Sequence, residues 1–252
     1  MQITVLGKSP SWQDAGGACS GYLVQERDYA LLLDCGNGVF SKLRAVRDYV
    51  DLDGVLISHL HADHFLDLVP FSYALIHGPR GATDRVRPEL HVPVGGGDLF
   101  RRVVGCWGDA ELIERAFELH EYDAGDQLSL GPLRIRFQEV PHFTRTFAVE
   151  LGKGDGRMTY SADCGPNEGL VEFASGTDLL LIEATLPFAD GDGERGHMTA
   201  REAGEHGRRA AARRVVLTHI SDELNADRAV SEARDGYGDE VELAREGAVY
   251  TI

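Results

Sequence analysis

Apolar positions along the chain fall into short runs separated by turn residues. Ile3 to Leu6, Gly21 to Val24 and Tyr29 to Leu33 are apolar or alternating and predict strands, with Gly16-Gly17 and Gly36-Asn37-Gly38 as punctuation. A helical pattern covers Val39 to Tyr49. Gly54-Val55-Leu56-Ile57-Ser58 is a continuous run suited to a buried strand, and it ends directly at His59. Phe65 to Ile76 predicts a helix, Glu89 to Val94 a strand, Gly95-Gly96-Gly97 the entry to another helix, and Glu111 to Leu119 a further one. Strand signals dominate from Gln127 to Leu151, with Gly131-Pro132 as a turn, and Arg157 to Ser161 is another short strand. The pattern then alternates. Helices are predicted over Glu168 to Ala174, Thr199 to Ala212 and Ala226 to Arg234, and strands over Leu179 to Ile182, Val215 to Thr218 and near Ala248 to Tyr250. Thr199 followed by Glu202 is a capping box.

These are two β-rich halves, each with helices, without a long linker, a low-complexity tract or a tandem repeat. Two sheets packed together and covered by helices satisfy the pattern in a single α/β domain spanning 1–252. A chain of 252 residues buries enough surface to fold without a disulfide or a metal. Lys and Arg number 25 against 41 Asp and Glu, a formal charge of −16. That charge argues against a partner bound through phosphates over the whole surface, and against an anionic membrane. A local positive site stays open, because bound divalent metals would supply one. No stretch approaches the roughly 20 apolar residues of a membrane span. The opening MQITVLGKSPSW lacks a basic segment before an apolar run, so no signal peptide is expected. Cys19, Cys35, Cys106 and Cys164 contain no C-x-x-C pair and are expected to be reduced thiols in a cytoplasmic protein.

The informative run is His59-Leu60-His61-Ala62-Asp63-His64, four metal-competent side chains within six residues. The spacing does not suit a regular helix, but a loop leaving a strand can turn both imidazoles inward. Imidazole and carboxylate together suit zinc, with manganese or iron as alternatives that ligand type alone does not separate. One loop cannot close two metal sites. His142, Asp163 and His219 each lie just past a predicted strand, as His59 does, and are the downstream candidates. His77, His91, His120 and His206 fall outside this constellation and are expected to be surface or packing residues.

This set resembles the metallo-β-lactamase-fold hydrolases, in which an H-x-H-x-D-H loop, a later His, an Asp and a final His occur in that order. The resemblance runs from about Ile3 to His219. It implies an αβ/βα four-layer sandwich, two mixed β-sheets flanked by helices, with two divalent metal ions at the edge between the sheets. His59, His61 and His142 would hold one metal, Asp63, His64 and His219 the other, and Asp163 would bridge them. Leu33-Asp34-Cys35-Gly36 matches a further family element, whose Asp34 would brace the metal loop rather than bind metal. Two adjacent metals lower the pKa of a bridging water and stabilise attacking and leaving oxygens, so the implied reaction is hydrolysis by a metal-bridging hydroxide.

Substrate class is read from two more segments. Glu183-Ala184-Thr185 and His197-Met198-Thr199 are similar to paired elements of the ribonuclease Z-like branch, which cleaves phosphodiesters. The resemblance makes His197 the general acid toward the leaving oxygen or a phosphate contact, and Glu183 its orienter, with Asp63 counted among both the ligands and the catalytic groups. His142 to Asp163 has room for a strand, a turn at Gly152 to Gly156 and another strand, not for the long basic arm with which that branch grips tRNA. The arginines Arg80, Arg85 and Arg87, and Arg208, Arg209, Arg213 and Arg214, read as solvated surface. The expected substrate is therefore a small or cyclic nucleotide, similar to cAMP, with nucleic acid and membrane not expected and a homodimer as the default assembly. A ribonuclease Z-type tRNA 3′ endonuclease, and a lactone, ester or lactam hydrolase on the same metals, are the alternatives. The neighbouring Cys164 is expected to point away from the metals. Phe65, Phe143 and Trp107 are candidate shelves for a base, with core packing the expected role of each. The loop-rich region Gly78 to Asp109 is read as bordering the substrate mouth, and the loop Asp190 to Arg195, before His197, as charged and flexible.

Overall fold

A computed structural model describes residues 1–189, 193 and 195–252, so Asp190, Gly191, Asp192 and Glu194 of the charged loop lie outside the described residues. The first half runs β1 (Gln2–Gly7), β2 (Gly21–Glu26), β3 (Tyr29–Leu33), α1 (Val39–Val46), β4 (Gly54–Leu56), α2 (Ala62–Phe65), α3 (Leu68–His77), α4 (Pro79–Asp84), β5 (Glu89–Pro93), α5 (Gly96–Gly105), α6 (Leu112–Ala116) and β6 (Glu118–Tyr122). The second runs β7 (Gln127–Leu130), β8 (Leu133–Val140), β9 (Thr146–Lys153), β10 (Gly156–Tyr160), α7 (Glu168–Phe173), β11 (Leu179–Glu183), α8 (Ala200–Arg209), β12 (Val215–Thr218), α9 (Ala226–Tyr237), β13 (Val241–Leu243) and β14 (Val249–Thr251).

Among the described residues these strands make two seven-stranded sheets, ordered β14-β1-β2-β3-β4-β5-β6 and β13-β12-β11-β10-β9-β8-β7. Each is antiparallel on one side and parallel on the other: β3 to β6 run parallel in the first sheet, β10 to β13 in the second. Alternation decides which residues meet between the sheets. Ile3, Val5, Leu31 and Leu33 from one pack against Phe147, Val149, Leu181 and Val216 from the other. The outward side chains of the first sheet, Leu32, Val55 and Leu90 among them, pack under α1, α3, α5 and α6. Those of the second, such as Leu180, Ile182 and Leu217, pack under α7, α8 and α9. The result is the four-layer αβ/βα sandwich expected from the sequence.

Parallel strands of a sheet end at the same edge, and both sheets open their carboxyl ends toward the same place. There the loop after β4 crosses between them: His59 forms an antiparallel bridge with Thr146, and Phe147 N–H donates to Ser58 O at 3.2 Å.

Several sequence expectations change. The helix expected over Glu111 to Leu119 stops at Ala116, and Glu118 begins β6. Glu118 N–H donates to Pro88 O, Leu119 fills the first core, and Tyr122 buries its ring against Phe137 with 3.8 Å between ring centroids. Pairing with the open edge of β5 outweighs local helix preference. The helix expected from Phe65 to Ile76 breaks around Asp67, whose N–H donates to Cys35 O and whose carboxylate accepts from Phe40 N–H at 2.9 Å. Strand β13 and helix α4 carry too few residues to stand out in a pattern. Within Gly78 to Asp109, Gly95 to Gly97 follow β5 at the open end, as read. Pro88 and Glu89 lie at the opposite end, where Glu89 pairs with the first residue of β4.

Gly36 is the tightest contact beneath the metal-competent loop. A Cβ there would stand 1.8 Å from Asp63 O, while Cys35 N–H donates to His64 O at 2.7 Å. Gly36→Ala is expected to destabilise the fold by about 1–3 kcal/mol and to lower divalent-metal content with it. Urea unfolding and metal analysis check this; wild-type values for both would contradict the packing argument.

Candidate metal centre

His59 and His61 lie on the loop after β4, and Asp63 and His64 on the single turn of α2 that follows. His142 comes after β8, Asp163 after β10 and His219 immediately after β12. The fold brings all seven together. Of three groups of ligand-type atoms among the described residues, each within 4.8 Å, two hold these seven: His59, His61, His142 and Asp163, and Asp63, His64, Asp163 and His219; the third is Glu183, His197 and His219. Asp163 belongs to the first two. Its Oδ2 stands 3.7 Å from His59 Nε2, 3.9 Å from His142 Nε2, and 3.3 Å from both His64 Nε2 and His219 Nε2. Asp63 Oδ2 lies 3.4 Å from His64 Nε2 and 3.3 Å from His219 Nε2.

The outer nitrogens of four imidazoles are committed elsewhere. His64 Nδ1–H donates to Asp34 Oδ2 at 2.8 Å, and His142 Nδ1–H to Gly196 O at 2.7 Å. Ser58 Oγ donates to Asp34 Oδ2 at 2.9 Å and so receives His59 Nδ1–H at 3.1 Å. Thr185 Oγ1 donates to Glu183 Oε2 at 2.9 Å and receives His219 Nδ1–H at 2.8 Å. With Nδ1 engaged outward, each Nε2 faces the cluster. His61 Nδ1 faces His142 Nε2 at 3.0 Å. His59 Nε2, His64 Nε2 and Asp163 Oδ1 are buried without a hydrogen-bond partner. Buried polar atoms are rarely left unpaired, and among the described residues three of the four such side-chain atoms, all but Ser20 Oγ, belong to one cluster made of imidazoles and carboxylates. That donor set fits divalent cations of the zinc type.

The electrostatics agree. Burial drives His59 well below the ordinary histidine value, which keeps it neutral. Burial opposes charge on His64 too, but the facing Asp163 and Asp34 outweigh it and hold its pKa well above the usual value. Burial likewise disfavours charge on Asp163, yet His219 and His64 keep it well below the carboxylate range. The cluster is built to hold positive charge between its carboxylates.

Three residues at these strand ends adopt left-handed backbone: Asp34 (φ 59°), Ala162 (φ 51°) and His219 (φ 49°). Such strain clusters where a fold must aim a side chain against its own preference. Asp34 is fully buried and accepts Ser58 N–H at 2.7 Å, Ser58 Oγ–H, His64 Nδ1–H and Tyr160 O–H at 3.1 Å. The sequence pointed to Asp34 but not to Ser58, Tyr160 or the Gly196 carbonyl. A lone hydroxyl closing an apolar strand was the signal for Ser58; a backbone carbonyl leaves none.

His197 and Glu183 also meet. His197 Nδ1–H donates to Glu183 Oε1 at 2.8 Å, and the His197 ring lies 4.9 Å from that of His142 and 5.5 Å from that of His219. Burial would lower the His197 pKa, but the Glu183 hydrogen bond and charge outweigh it and raise it. Glu183 does more than orient His197. Its carboxylate accepts from Cys164 N–H at 3.0 Å, beside Asp163, and from Thr185 N–H at 3.0 Å and its hydroxyl, beside His219. The Cys164 thiol is buried in the second sheet's core, where desolvation raises its pKa. His206 is a satisfied core histidine, donating Nδ1–H to Glu202 O and receiving Asn167 N–H. Of the aromatic candidates, Phe65 is core as expected, whereas Phe143 is exposed beside His142 and Trp107 is half-exposed. Phe143 follows a ligand-type residue on a turn, so no strand face was available to bury it.

Two outcomes follow from this geometry. Asp34→Asn turns one accepting oxygen into a donor against His64, Ser58 and Tyr160. It is expected to cost about 2–4 kcal/mol and about 10–100-fold in metal affinity, read by urea unfolding and metal titration. Stripping divalent cations with a chelator is expected to lower the melting temperature and abolish hydrolysis, both restored on adding the metal back. A chelated protein that melts and turns over like the untreated one would remove the metal from the account.

Comparison with known proteins agrees with the fold. The beta-lactamase superfamily domain model matches residues 29–220. The chain is 31% identical over 256 residues to the probable metallo-hydrolase YhfI of Bacillus subtilis strain 168, covering 99% of each. The crystal structure of the metallo-beta-lactamase fold protein YhfI from Bacillus subtilis matches with a TM-score of 0.89 at 29% identity, over 99% of this chain and 98% of that one. A ribonuclease Z of Myxococcus xanthus strain DK1622 is 28% identical over 304 residues, covering 98% of this chain and 96% of that protein. A family match across most of the chain, with an imidazole and carboxylate centre at the open end of both sheets, makes this protein a metal-dependent hydrolase of the beta-lactamase superfamily.

Proposed function

We propose that residues 1–252 act as one phosphodiesterase domain, hydrolysing a small or cyclic nucleotide at a centre that holds two divalent cations, zinc first among them. His59, His61 and His142 would hold one cation, Asp63, His64 and His219 the other, and Asp163 both. When bound, the cations would supply charge stabilisation for the phosphoryl oxygens and activate the attacking water. The observation that carries the phosphodiester reading is the His197–Glu183 pair beside the centre. An alkoxide leaving from phosphorus needs a proton, and a histidine held beside the centre by a buried carboxylate can give it. Glu183 accepts Nδ1–H and stabilises the imidazolium, which leaves Nε2–H as the proton to be given.

The small-substrate reading is supported by the chain between His142 and Asp163, which forms the β9–β10 hairpin. It is supported also by the arginines considered as a basic surface. Arg80 pairs with Asp48 and Asp84, Arg209 with Glu168, Arg213 with Asp178 and Arg214 with Glu242. The similarity to a ribonuclease Z supports phosphodiester chemistry and keeps RNA as the second reading.

The test is turnover of cAMP, bis(p-nitrophenyl) phosphate, a precursor tRNA and a lactone by zinc- or manganese-loaded protein, with His197→Ala alongside. The two diesters should be hydrolysed. His197→Ala should cost about 10²–10⁴-fold on cAMP and far less on the nitrophenyl ester, whose leaving group needs no proton. Preferred cleavage of tRNA would install the second reading, and a preference for lactone would overturn the diester assignment.

A further inference from the structure

Eight large apolar side chains are exposed among the described residues. Four of them, Trp12, Val94, Phe143 and Phe188, ride on loops that leave the sheets at the metal end. Phe143 is placed against the centre itself. It is 73% exposed, yet its ring is not free-standing. Its centroid lies 5.1 Å from the His142 ring and 5.9 Å from the His197 ring, inclined at 67° to the latter. A Cβ on Gly196 would stand 2.6 Å from the phenyl edge, so the ring is seated on the Gly196 backbone. The Gly196 carbonyl in turn receives His142 Nδ1–H. One edge of the ring is therefore fixed relative to a ligand-type histidine and to the proton donor, while most of its surface faces solvent.

Among the described residues, three cationic side chains of this end are paired with carboxylates. Lys8 pairs with Asp14, Arg145 with Asp123 and Glu139, and Arg195 with Glu202. A second phosphate, or a polyanionic backbone running away from the centre, would meet no unpaired cation among these. A flat apolar group would meet the Phe143 ring.

From this we infer that Phe143 determines specificity by stacking with an aromatic ring of the substrate, a nucleobase, while the phosphodiester sits between the centre and His197. The inference rests on the phosphodiesterase reading and narrows it to base-bearing monophosphate diesters. Stacking of a base on an aromatic side chain is sequence-tolerant, so the platform selects for the presence of a base more than for its identity.

The experiment measures, by titration calorimetry on metal-loaded protein, the affinities of adenosine 5′-monophosphate and ribose 5-phosphate for wild type, Phe143→Ala and Phe143→Trp, with metal content of each variant determined. Turnover of cAMP is followed in parallel. Wild type should prefer the base-bearing ligand by roughly tenfold or more. Phe143→Ala should erase that preference and raise the KM for cAMP by a similar factor, and Phe143→Trp should restore both. Equal affinities for the two ligands in wild type, or a preference that survives Phe143→Ala at full metal content, overturns the proposal. If the base preference depends on Phe143 but no phosphodiester is hydrolysed, the platform stands and the reaction assigned to the centre falls.

Discussion

The structure depends on one buried carboxylate. Asp34 lies in the interior without solvent, and an ionised group there is tolerated only if donors surround it. Ser58 provides two from the end of the first sheet, His64 one from the turn after the metal loop, and Tyr160 one from β10 of the second sheet. Satisfying Asp34 thus fixes the distance between the sheets at their open end, the path of the loop after β4 and the protonation pattern of His64 together. The close passage of Gly36 beneath Asp63 belongs to the same constraint, because any side chain there would lift the loop away.

From that anchor the centre is assembled by strand ends. Each sheet contributes ligand-type residues at the carboxyl ends of its strands, where backbone groups are released from the ladder and loops diverge. Asp34, Ala162 and His219 take left-handed backbone at those ends. Short turns there do what longer loops would do less rigidly. They aim an imidazole or a carboxylate across the gap and hold it by a hydrogen bond at its far side. The inner nitrogens of four imidazoles converge because Asp34, Ser58, Thr185 and Gly196 have taken their other nitrogens.

Glu183 plays the corresponding part in the second sheet. It is fully buried, and its two oxygens divide the work: one takes His197 and the backbone beside Asp163, the other takes Thr185, which holds His219. His197 and His219 are therefore positioned by one group. In the sequence, Glu183 was legible only as the orienter of His197, since its other partners are backbone N–H groups and a hydroxyl that any residue pattern could supply. Phe143 shows the opposite kind of error. A phenylalanine beside a strand reads as core, and it turned out exposed because His142 already takes the inward direction on that turn.

The residue pattern by itself determined two β-rich halves with helices and singled out the H-x-H-x-D-H loop with His142, Asp163 and His219, while the four layers and the His197–Glu183 pair came with the family resemblance. Strand runs, their abrupt ends at His59 and His219, and the spacing of the H-x-H-x-D-H loop are local properties, written in consecutive residues. Tertiary structure alone decided that Glu118 to Tyr122 would leave a helical pattern for the open edge of β5, and which side chains brace each imidazole. It also decided how closely Asp163 stands to each imidazole around it. These outcomes turn on contacts between residues far apart in the chain, such as Asp63 with His219 at a separation of 156 positions, where the gain from satisfying a buried charge or an unpaired strand edge exceeds any local preference.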